Sequence, residues 1–228
     1  MIVLERPAAP ARVTPIAPEE QRLVLYNVGW ETYERLCELL EPTGVRMTYD
    51  SGSLELMSPS RRHERYGHTL GRCVEVIAEE LDVALEPGGK MTFRRRDVAR
   101  GIEPDDCFWI AHEAEIRGKE EIDLTCDPPP DLFIEVEVTH SLLDRLATCA
   151  ALCIPEVWRF DGEQIIVLCL RPDGTYQEVE RSPTFPQIDL NGIVPFLKPD
   201  PHRDYLTTIR EFREWVRDQI RKGNGHRA

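Results

Sequence analysis

One nine-residue stretch, DLFIEVEVT at 131–139, constrains the fold more than any other part of the chain. Because successive side chains of a β-strand point to opposite faces, its residues divide into two sets. One set is entirely apolar and comprises Leu132, Ile134, Val136 and Val138. The other set comprises Asp131, Phe133, Glu135, Glu137 and Thr139. The apolar set predicts a central strand packed against a helix, with carboxylates on its opposite face.

The remaining segments predict helices and strands in an order typical of an α/β protein. Apolar residues at helical spacing predict amphipathic helices at 30–41, 62–82, 141–153 and 203–221. Hairpins are predicted around Ser51-Gly52 and Asp161-Gly162, and single strands at 91–96 and 106–110. The polar stretch 111–130 predicts a loop, and the four prolines of 182–199 predict structure at a sheet edge. This order predicts a mixed central β-sheet flanked by α-helices.

The length of the chain predicts a single main domain. A chain of 228 residues corresponds to one medium domain, or to one domain with arms. Residues 1–28 hold four prolines and show no period, which predicts an N-terminal arm. The main domain is therefore predicted at 29–199, and a C-terminal helix and tail at 200–228.

Cysteine spacing and hydropathy indicate the compartment. The seven cysteines are scattered and contain no C-x-x-C pair, which argues against a structural zinc site and favours a reduced, cytoplasmic setting. No apolar run approaches the roughly 18 to 20 residues of a spanning helix. Glu5 and Pro7 interrupt the N-terminus, so a signal peptide is not expected either.

The formal net charge of −13 bears on the binding partner. Affinity for DNA comes largely from Lys and Arg side chains on phosphates, so a chain this acidic needs a local basic patch to bind nucleic acid. Acidic clusters, by contrast, suit a site that binds divalent cations.

Glu135 and Glu137 form such an acidic pair. On one face of a strand their side chains lie about 6 to 7 Å apart, and they repel each other. Either they lie on a solvated sheet face, or a divalent cation binds between them. Asp105 follows Pro104 at the start of the strand 106–110. If that strand pairs beside 131–139, Asp105 approaches Glu135, which favours the cation.

These residues resemble a known family. Asp105 after proline, then Glu135 and Glu137 on an apolar strand before a helix, are similar to the PD-(D/E)XK nuclease superfamily. Within it, the sequence resembles the Uma-type putative restriction endonuclease family. The resemblance covers about 30–197 and rests on WETYERL, RMTYDSGSLELMSPSRRHE, GIEPDDCFWI, EIDLTCDPPPDLFIEVEVTHSLLDRL and IPEVWRFDG. It implies a restriction-endonuclease-like fold with Mg²⁺, or Mn²⁺, at the acidic strand ends.

By the same resemblance, Asp105 and Glu135 correspond to the metal ligands, and the chemistry is phosphodiester hydrolysis. The residue two positions after Glu135 should be a lysine, but it is Glu137. An acid there can serve as a further metal ligand but supplies no positive charge. Lys90 and Arg145 are the candidates for a cation that has moved elsewhere in the sequence.

Further candidates lie on the helix 62–82 and beside it. His63 is predicted to face the sheet, either as a core histidine or as a site residue, with Glu64 ranked below it. Positive charge for phosphates is predicted from a rim of basic residues, or these residues only solvate an edge. The rim comprises Arg61, Arg62, Lys90, Arg94 and Arg96.

The leading hypothesis is therefore a Mg²⁺-dependent endonuclease that cuts DNA, with Asp105, Glu135, Glu137 and His63 as its catalytic residues. One alternative is a catalytically inactive protein of the same fold that binds nucleic acid or a partner protein. A metal-dependent hydrolase of a smaller phosphoester is another. Because duplex cleavage needs two sites, a homodimer is expected.

Overall fold

The computed structural model describes residues 20–225, so most of the predicted arm and the last residues of the tail lie outside it. The first half of the chain contains β1 (Gln21–Leu25), α1 (Trp30–Leu40), β2 (Arg46–Asp50), β3 (Ser53–Ser58), α2 (Arg61–Leu81), β4 (Glu86–Pro87), β5 (Phe93–Arg95), β6 (Arg100–Ile102) and β7 (Asp106–Trp109). The second half contains α3 (Glu113–Ile116), β8 (Leu132–Val136), α4 (Arg145–Ala151), β9 (Glu156–Phe160), β10 (Ile165–Leu170), β11 (Tyr176–Val179), α5 (Val194–Leu197) and α6 (Tyr205–Gly225).

The strands form two sheets. A five-stranded antiparallel sheet has the order β1-β3-β2-β6-β5. A six-stranded sheet has the order β11-β10-β9-β8-β7-β4, and it is mixed because β8 and β9 run parallel while its other pairs are antiparallel. The expected mixed α/β class with flanking helices is confirmed, although the strands are divided between two sheets. Within residues 20–225, no helix is long and apolar enough to cross a membrane.

Strand β8 lies in the middle of the six-stranded sheet, as its sequence predicts. Its residues Leu132, Ile134 and Val136 pack in one buried cluster with α2, while Phe133 belongs to a second cluster on the opposite face. Both faces are therefore covered, and Glu135 is only 7% exposed. The alternative of a solvated sheet face does not hold for Glu135.

Helix α2 is held close to the central sheet by local sequence signals. The Ser60 hydroxyl accepts a hydrogen bond from the His63 backbone N–H (3.1 Å) and so caps the first turn. Gly67 and Gly71, one turn apart, face the start of β7. A Cβ atom at Gly71 would lie 2.0 Å from a carboxylate oxygen of Asp106. Glycine at these positions lets the helix lie against the acidic end of β7.

Several predicted boundaries need correction. The prediction that 182–199 is edge structure is wrong, because this segment folds into a 3-10 turn and α5 and places Phe185, Ile188 and Leu197 in the core. Helix α4 begins at Arg145 rather than 141, since the Asp144 side chain accepts a hydrogen bond from the Ala147 backbone N–H (2.9 Å). The short helix α3 interrupts the predicted loop.

The first described residues form part of the five-stranded sheet. Strand β1 pairs with β3 from Gln21, opposite Ser58, to Leu25, opposite Leu54. At the other end of the chain, α6 packs on α2 and is tied to it by ion pairs from Arg213 to Glu80. The division into an arm, a domain at 29–199 and a C-terminal helix stays a prediction.

Candidate functional site

Asp105 lies directly beside the end of β8. Strand β7 pairs antiparallel with β8, and the Asp105 backbone N–H donates to the Ile134 carbonyl (3.0 Å). Its carboxylate accepts a hydrogen bond from the Val136 backbone N–H (2.6 Å). Strands β7 and β8 therefore pair as required for Asp105 to approach Glu135. These two backbone contacts fix the position of Asp105, and the residue is only 3% exposed.

The predicted site residues meet at one cavity. It has a volume of about 180 Å³ and lies at the end of β8. Its walls include His63, Asp105, Glu135, Glu137, Arg145 and Arg159. Residues as far apart in the chain as Arg22 and Arg159, 137 positions, thus contribute to a single space that contains both acids and guanidinium groups.

Arg145 binds Glu135 from the first turn of α4. Its guanidinium donates to both carboxylate oxygens of Glu135 (2.7 and 2.8 Å). The same side chain also donates to the Thr48 hydroxyl (2.5 Å) and to the Glu103 carbonyl (2.9 Å). Although burial alone would lower the pKa of Arg145, the charge of Glu135 raises it. This is a buried ion pair with its hydrogen bonds satisfied.

A second group of contacts surrounds Asp105. His63 is fully buried, and its Nε2 lies 2.7 Å from a carboxylate oxygen of Asp105. Its Nδ1 lies 3.0 Å from the carboxylate of Glu20. Arg46 forms an ion pair with the same oxygen of Asp105. The prediction that His63 faces the sheet is therefore met, and its ring bridges two carboxylates.

Glu20 comes to the site just before strand β1. Its carboxylate also binds the Thr139 hydroxyl (2.6 Å) and Arg22 (2.6 Å). Burial by itself would raise the pKa of Glu20, but hydrogen bonds from His63 and Thr139 and the nearby positive charges lower it to about 2. Glu20 is therefore a carboxylate at neutral pH.

Glu137 lies beyond the end of β8 and is the most open of the three acids. Its side chain is 27% exposed and lies 3.4 Å from Arg159. Arg159 belongs to β9, where it stands in register with Glu135. Glu137 and Glu135 thus each lie beside a guanidinium group.

Sequence reasoning missed four charged residues of this region, which are Glu20, Arg22, Arg46 and Arg159. The parallel pairing of 132–136 with 156–160 would have found Arg159, because it places that residue opposite Glu135. Arg46 is itself buried at the start of β2, and its charge is the one weaker signal that the sequence offers. Glu20 and Arg22 carry none that we can identify.

The cavity offers the oxygen ligands that a divalent cation prefers, but its side chains are not arranged as a metal site. Carboxylate oxygens are the ligands that Mg²⁺ and Mn²⁺ prefer, and Asp105, Glu135 and Glu137 all line the cavity. In the described part of the chain, however, no three His, Cys, Asp or Glu side chains are grouped as a metal site. Glu135 instead binds Arg145, and Asp105 binds Arg46 and His63. Binding of a cation therefore requires these ion pairs to rearrange.

The predicted basic rim is split between two places. Arg94 and Arg96 are exposed near the edge strand β5, and Arg96 pairs with Glu31. Arg62 is exposed at the start of α2. The others line a second, wider groove of about 560 Å³, here named the α2 groove. Its walls include Arg61, Arg65, His68, Thr69, Lys90 and Tyr205.

Comparison with known protein families finds one match. Residues 30–197 match the model of a family described as putative restriction endonuclease, which defines the class as nuclease-like. The chain belongs to this family, Uma2, so the resemblance inferred from the sequence is confirmed. Glu20 and Arg22 lie before the matched residues. No curated protein matches the chain.

One solved structure with a similar chain is that of a putative nuclease belonging to DUF820 from Anabaena variabilis. It is 15% identical, and the match covers 67% of this chain and 91% of that chain with a TM-score of 0.47.

Proposed function

We propose that this protein is a metal-dependent endonuclease that hydrolyses phosphodiester bonds of DNA with Mg²⁺ or Mn²⁺. One observation carries the proposal, which is that Asp105, Glu135 and Glu137 line a single cavity together with three arginines, Arg22, Arg145 and Arg159. Carboxylates can hold a hard cation there, and guanidinium groups can bind the oxygens of a phosphate. Membership of a family described as putative restriction endonuclease supports it.

Asp105 and Glu135, with Glu137 beside them, are the residues that would hold the cation. When bound, a divalent cation lowers the pKa of a water molecule and polarises a phosphoryl oxygen. The protein's own contribution is to fix the carboxylates. The Val136 backbone N–H and His63 hold Asp105, and β8 holds Glu135.

Arg145 is the residue we propose in place of the family's lysine. It lines the cavity next to Glu135, and its side chain is 14% exposed. Lys90, the other candidate, pairs with Glu64 in the α2 groove and does not line the cavity. A guanidinium at this place can stabilise the negative charge that develops on a phosphate as it reacts. Arg159, beside Glu137, can bind a further phosphate oxygen.

The test is cleavage of plasmid DNA by the full chain with Mg²⁺ or Mn²⁺. Wild type should nick the plasmid, whereas Asp105→Asn and Glu135→Gln should lose at least 100-fold in rate, in line with the roughly 10²–10³-fold effect of removing one group that stabilises reacting charge. Both variants keep the size of the side chain, and circular dichroism checks their fold. The matched control is Glu163→Gln, an acid whose side chain is 86% exposed and does not line the cavity. The proposal fails if wild type cuts no DNA with either metal, or if the two site variants cut as fast as the control.

A catalytically inactive nucleic-acid-binding protein is the second candidate. Glu137 in the position of the lysine favours it, and so does the binding of both oxygens of Glu135 by Arg145. It predicts that oligonucleotides bind without any metal-dependent cleavage, and that Glu135→Gln leaves this binding unchanged.

The homodimer stays a prediction of the endonuclease proposal. Size-exclusion chromatography with light scattering measures it, and a two-chain mass in the presence of duplex DNA is the expected result.

A further inference from the structure

The α2 groove runs beside the cavity of the proposed active site. Asp105 belongs to the walls of both, so the two spaces lie on either side of one residue. The groove is about three times larger by volume, 560 against 180 Å³. Its size is within the roughly 300–1,000 Å³ of sites that bind small molecules or nucleotides.

The groove carries positive charge that other groups leave free. Arg61 and Arg65 lie one turn apart at the start of α2, and within residues 20–225 neither forms an ion pair or a side-chain hydrogen bond. Three acids line the groove as well. Glu64 is already bound by Arg46 and Lys90, and Asp105 by Arg46 and His63. Asp106 accepts a hydrogen bond from the Cys107 backbone N–H. Burial would raise the pKa of Glu64, but Lys90 and Arg46 lower it. Glu64 therefore stays ionised, and these two positive charges balance its own. Arg61 and Arg65 are therefore available to an anion.

Two hydroxyl groups in the walls lack hydrogen-bond partners. Thr69 is 2% exposed, and within the described residues its hydroxyl makes no hydrogen bond. The same is true of the Tyr205 hydroxyl. Buried polar groups are nearly always paired, so each of these two enclosed hydroxyls leaves an unmet hydrogen bond in the wall of the groove. The rings of His68 and Tyr205 lie 5.6 Å apart and are tilted by 34°, which gives this wall an aromatic surface.

We propose that the α2 groove binds the phosphodiester backbone of the nucleic-acid strand next to the bond that is cut. Arg61 and Arg65 contact phosphate oxygens, and Thr69 donates a hydrogen bond to the same backbone. The aromatic wall at His68 and Tyr205 takes the adjoining sugar or base. This inference rests on the proposed function, because the strand must continue from the groove past Asp105 into the cavity.

Binding measured without cleavage tests the groove separately from the nuclease. The full chain is titrated into a fluorescein-labelled 20-nucleotide DNA, single-stranded and duplex, in EDTA at several NaCl concentrations. Fluorescence anisotropy gives the affinity and its dependence on salt. The variants are Arg61→Gln, Arg65→Gln, their double variant and Thr69→Val. The matched control is Arg35→Gln, an exposed arginine on α1 that is not part of the groove.

Each arginine substitution should weaken binding to all DNA sequences alike and lower the slope of log K against log [NaCl] by about 0.7 to 0.9. The double variant should lower it by about twice as much. Thr69→Val should weaken binding with the slope unchanged, and Arg35→Gln should bind as wild type does. The groove proposal is overturned if the double variant binds with wild-type affinity and slope, or if wild type binds neither DNA.

Failure of the two proposals can be told apart. If the groove variants lose binding as expected but wild type cuts no DNA with Mg²⁺ or Mn²⁺, the groove stands and the nuclease function fails. If wild type cuts DNA while the double variant binds unchanged, the nuclease function stands and the groove fails.

Discussion

Replacing Arg145 with methionine should destabilise the folded protein by about 3–5 kcal/mol, the range expected when one partner of a buried ion pair is removed. The change deletes both hydrogen bonds to the Glu135 carboxylate, together with those to Thr48 and to the Glu103 carbonyl. Glu135 is 7% exposed, so its charge would remain in the interior without a partner. The larger part of the loss in the free energy of unfolding comes from this unpaired carboxylate, and the smaller part from the deleted hydrogen bonds of Arg145.

Urea unfolding followed by tryptophan fluorescence measures the effect. With a slope of about 3 kcal/mol/M, the midpoint should fall by about 1 to 1.7 M. The double variant Arg145→Met/Glu135→Leu removes both charges at once, so it should recover much of the loss, with a coupling energy of about 2–3 kcal/mol between the two positions. Arg72→Met is the control, since its pair with Glu75 on α2 lies at the surface and solvent screens it.

The reasoning is refuted by either of two results. One is a loss below about 1 kcal/mol for Arg145→Met, which is the value of a surface pair. The other is strict additivity of the two substitutions, since uncoupled positions do not neutralise each other's charge. In both cases Glu135 would be held in the interior by something other than Arg145.

Two further predictions concern the contacts around the site. Glu20→Gln should lower the free energy of unfolding at pH 7 by about 2 kcal/mol after allowance for solvent screening, because the pKa of Glu20 lies below that of the unfolded chain. This contribution is present above about pH 4.5 and is lost as the pH falls toward 2. In urea unfolding from pH 7 to 2, the difference in the free energy of unfolding between variant and wild type should therefore shrink. A constant difference would contradict this prediction. Gly71→Ala should lower the free energy of unfolding by about 1–3 kcal/mol, because the added methyl carbon would lie 2.0 Å from a carboxylate oxygen of Asp106. Gly223→Ala is its control, because a Cβ atom there meets no other atom within 4 Å, and it should raise the free energy of unfolding by about 0.4–1 kcal/mol. Equal shifts of the two variants in thermal unfolding would exclude the steric argument.

Local patterns predicted most of the elements that build the site. Alternation identified β8 as a central strand, and turn residues located the hairpins β2–β3 and β9–β10. The helical apolar stripe located α2 within one residue at each end. These signals depend on neighbours within a few positions, which is why they can be found in the sequence. Helix α4 was predicted too long because its start depends on a single cap at Asp144, a weaker signal than a stripe.

The segment 182–199 shows why composition can mislead. Its prolines disfavour long strands and helices, and the segment holds only a 3-10 turn and the four-residue helix α5. Proline says nothing, however, about burial. The apolar residues Phe185, Ile188 and Leu197 lie between the six-stranded sheet and the helices, where no long element is needed to fill the space.

The approach of Asp105 to Glu135 could be predicted from the sequence, since it needs only the pairing of two adjacent strands. The partners of these acids could not. Arg145 is ten residues from Glu135, but Arg46 is 59 residues from Asp105 and Glu20 is 43 residues from His63.

The sequence by itself determined the α/β class, the central acidic strand and the family, because periodicity and short motifs are properties of neighbouring residues. Only the tertiary structure decided that the acids share a cavity with arginines, that strand β1 brings a carboxylate to His63, and that a separate groove runs along α2. The physical reason is that charges are neutralised by whichever groups the packed elements bring within hydrogen-bonding distance, and that distance is unrelated to separation along the chain.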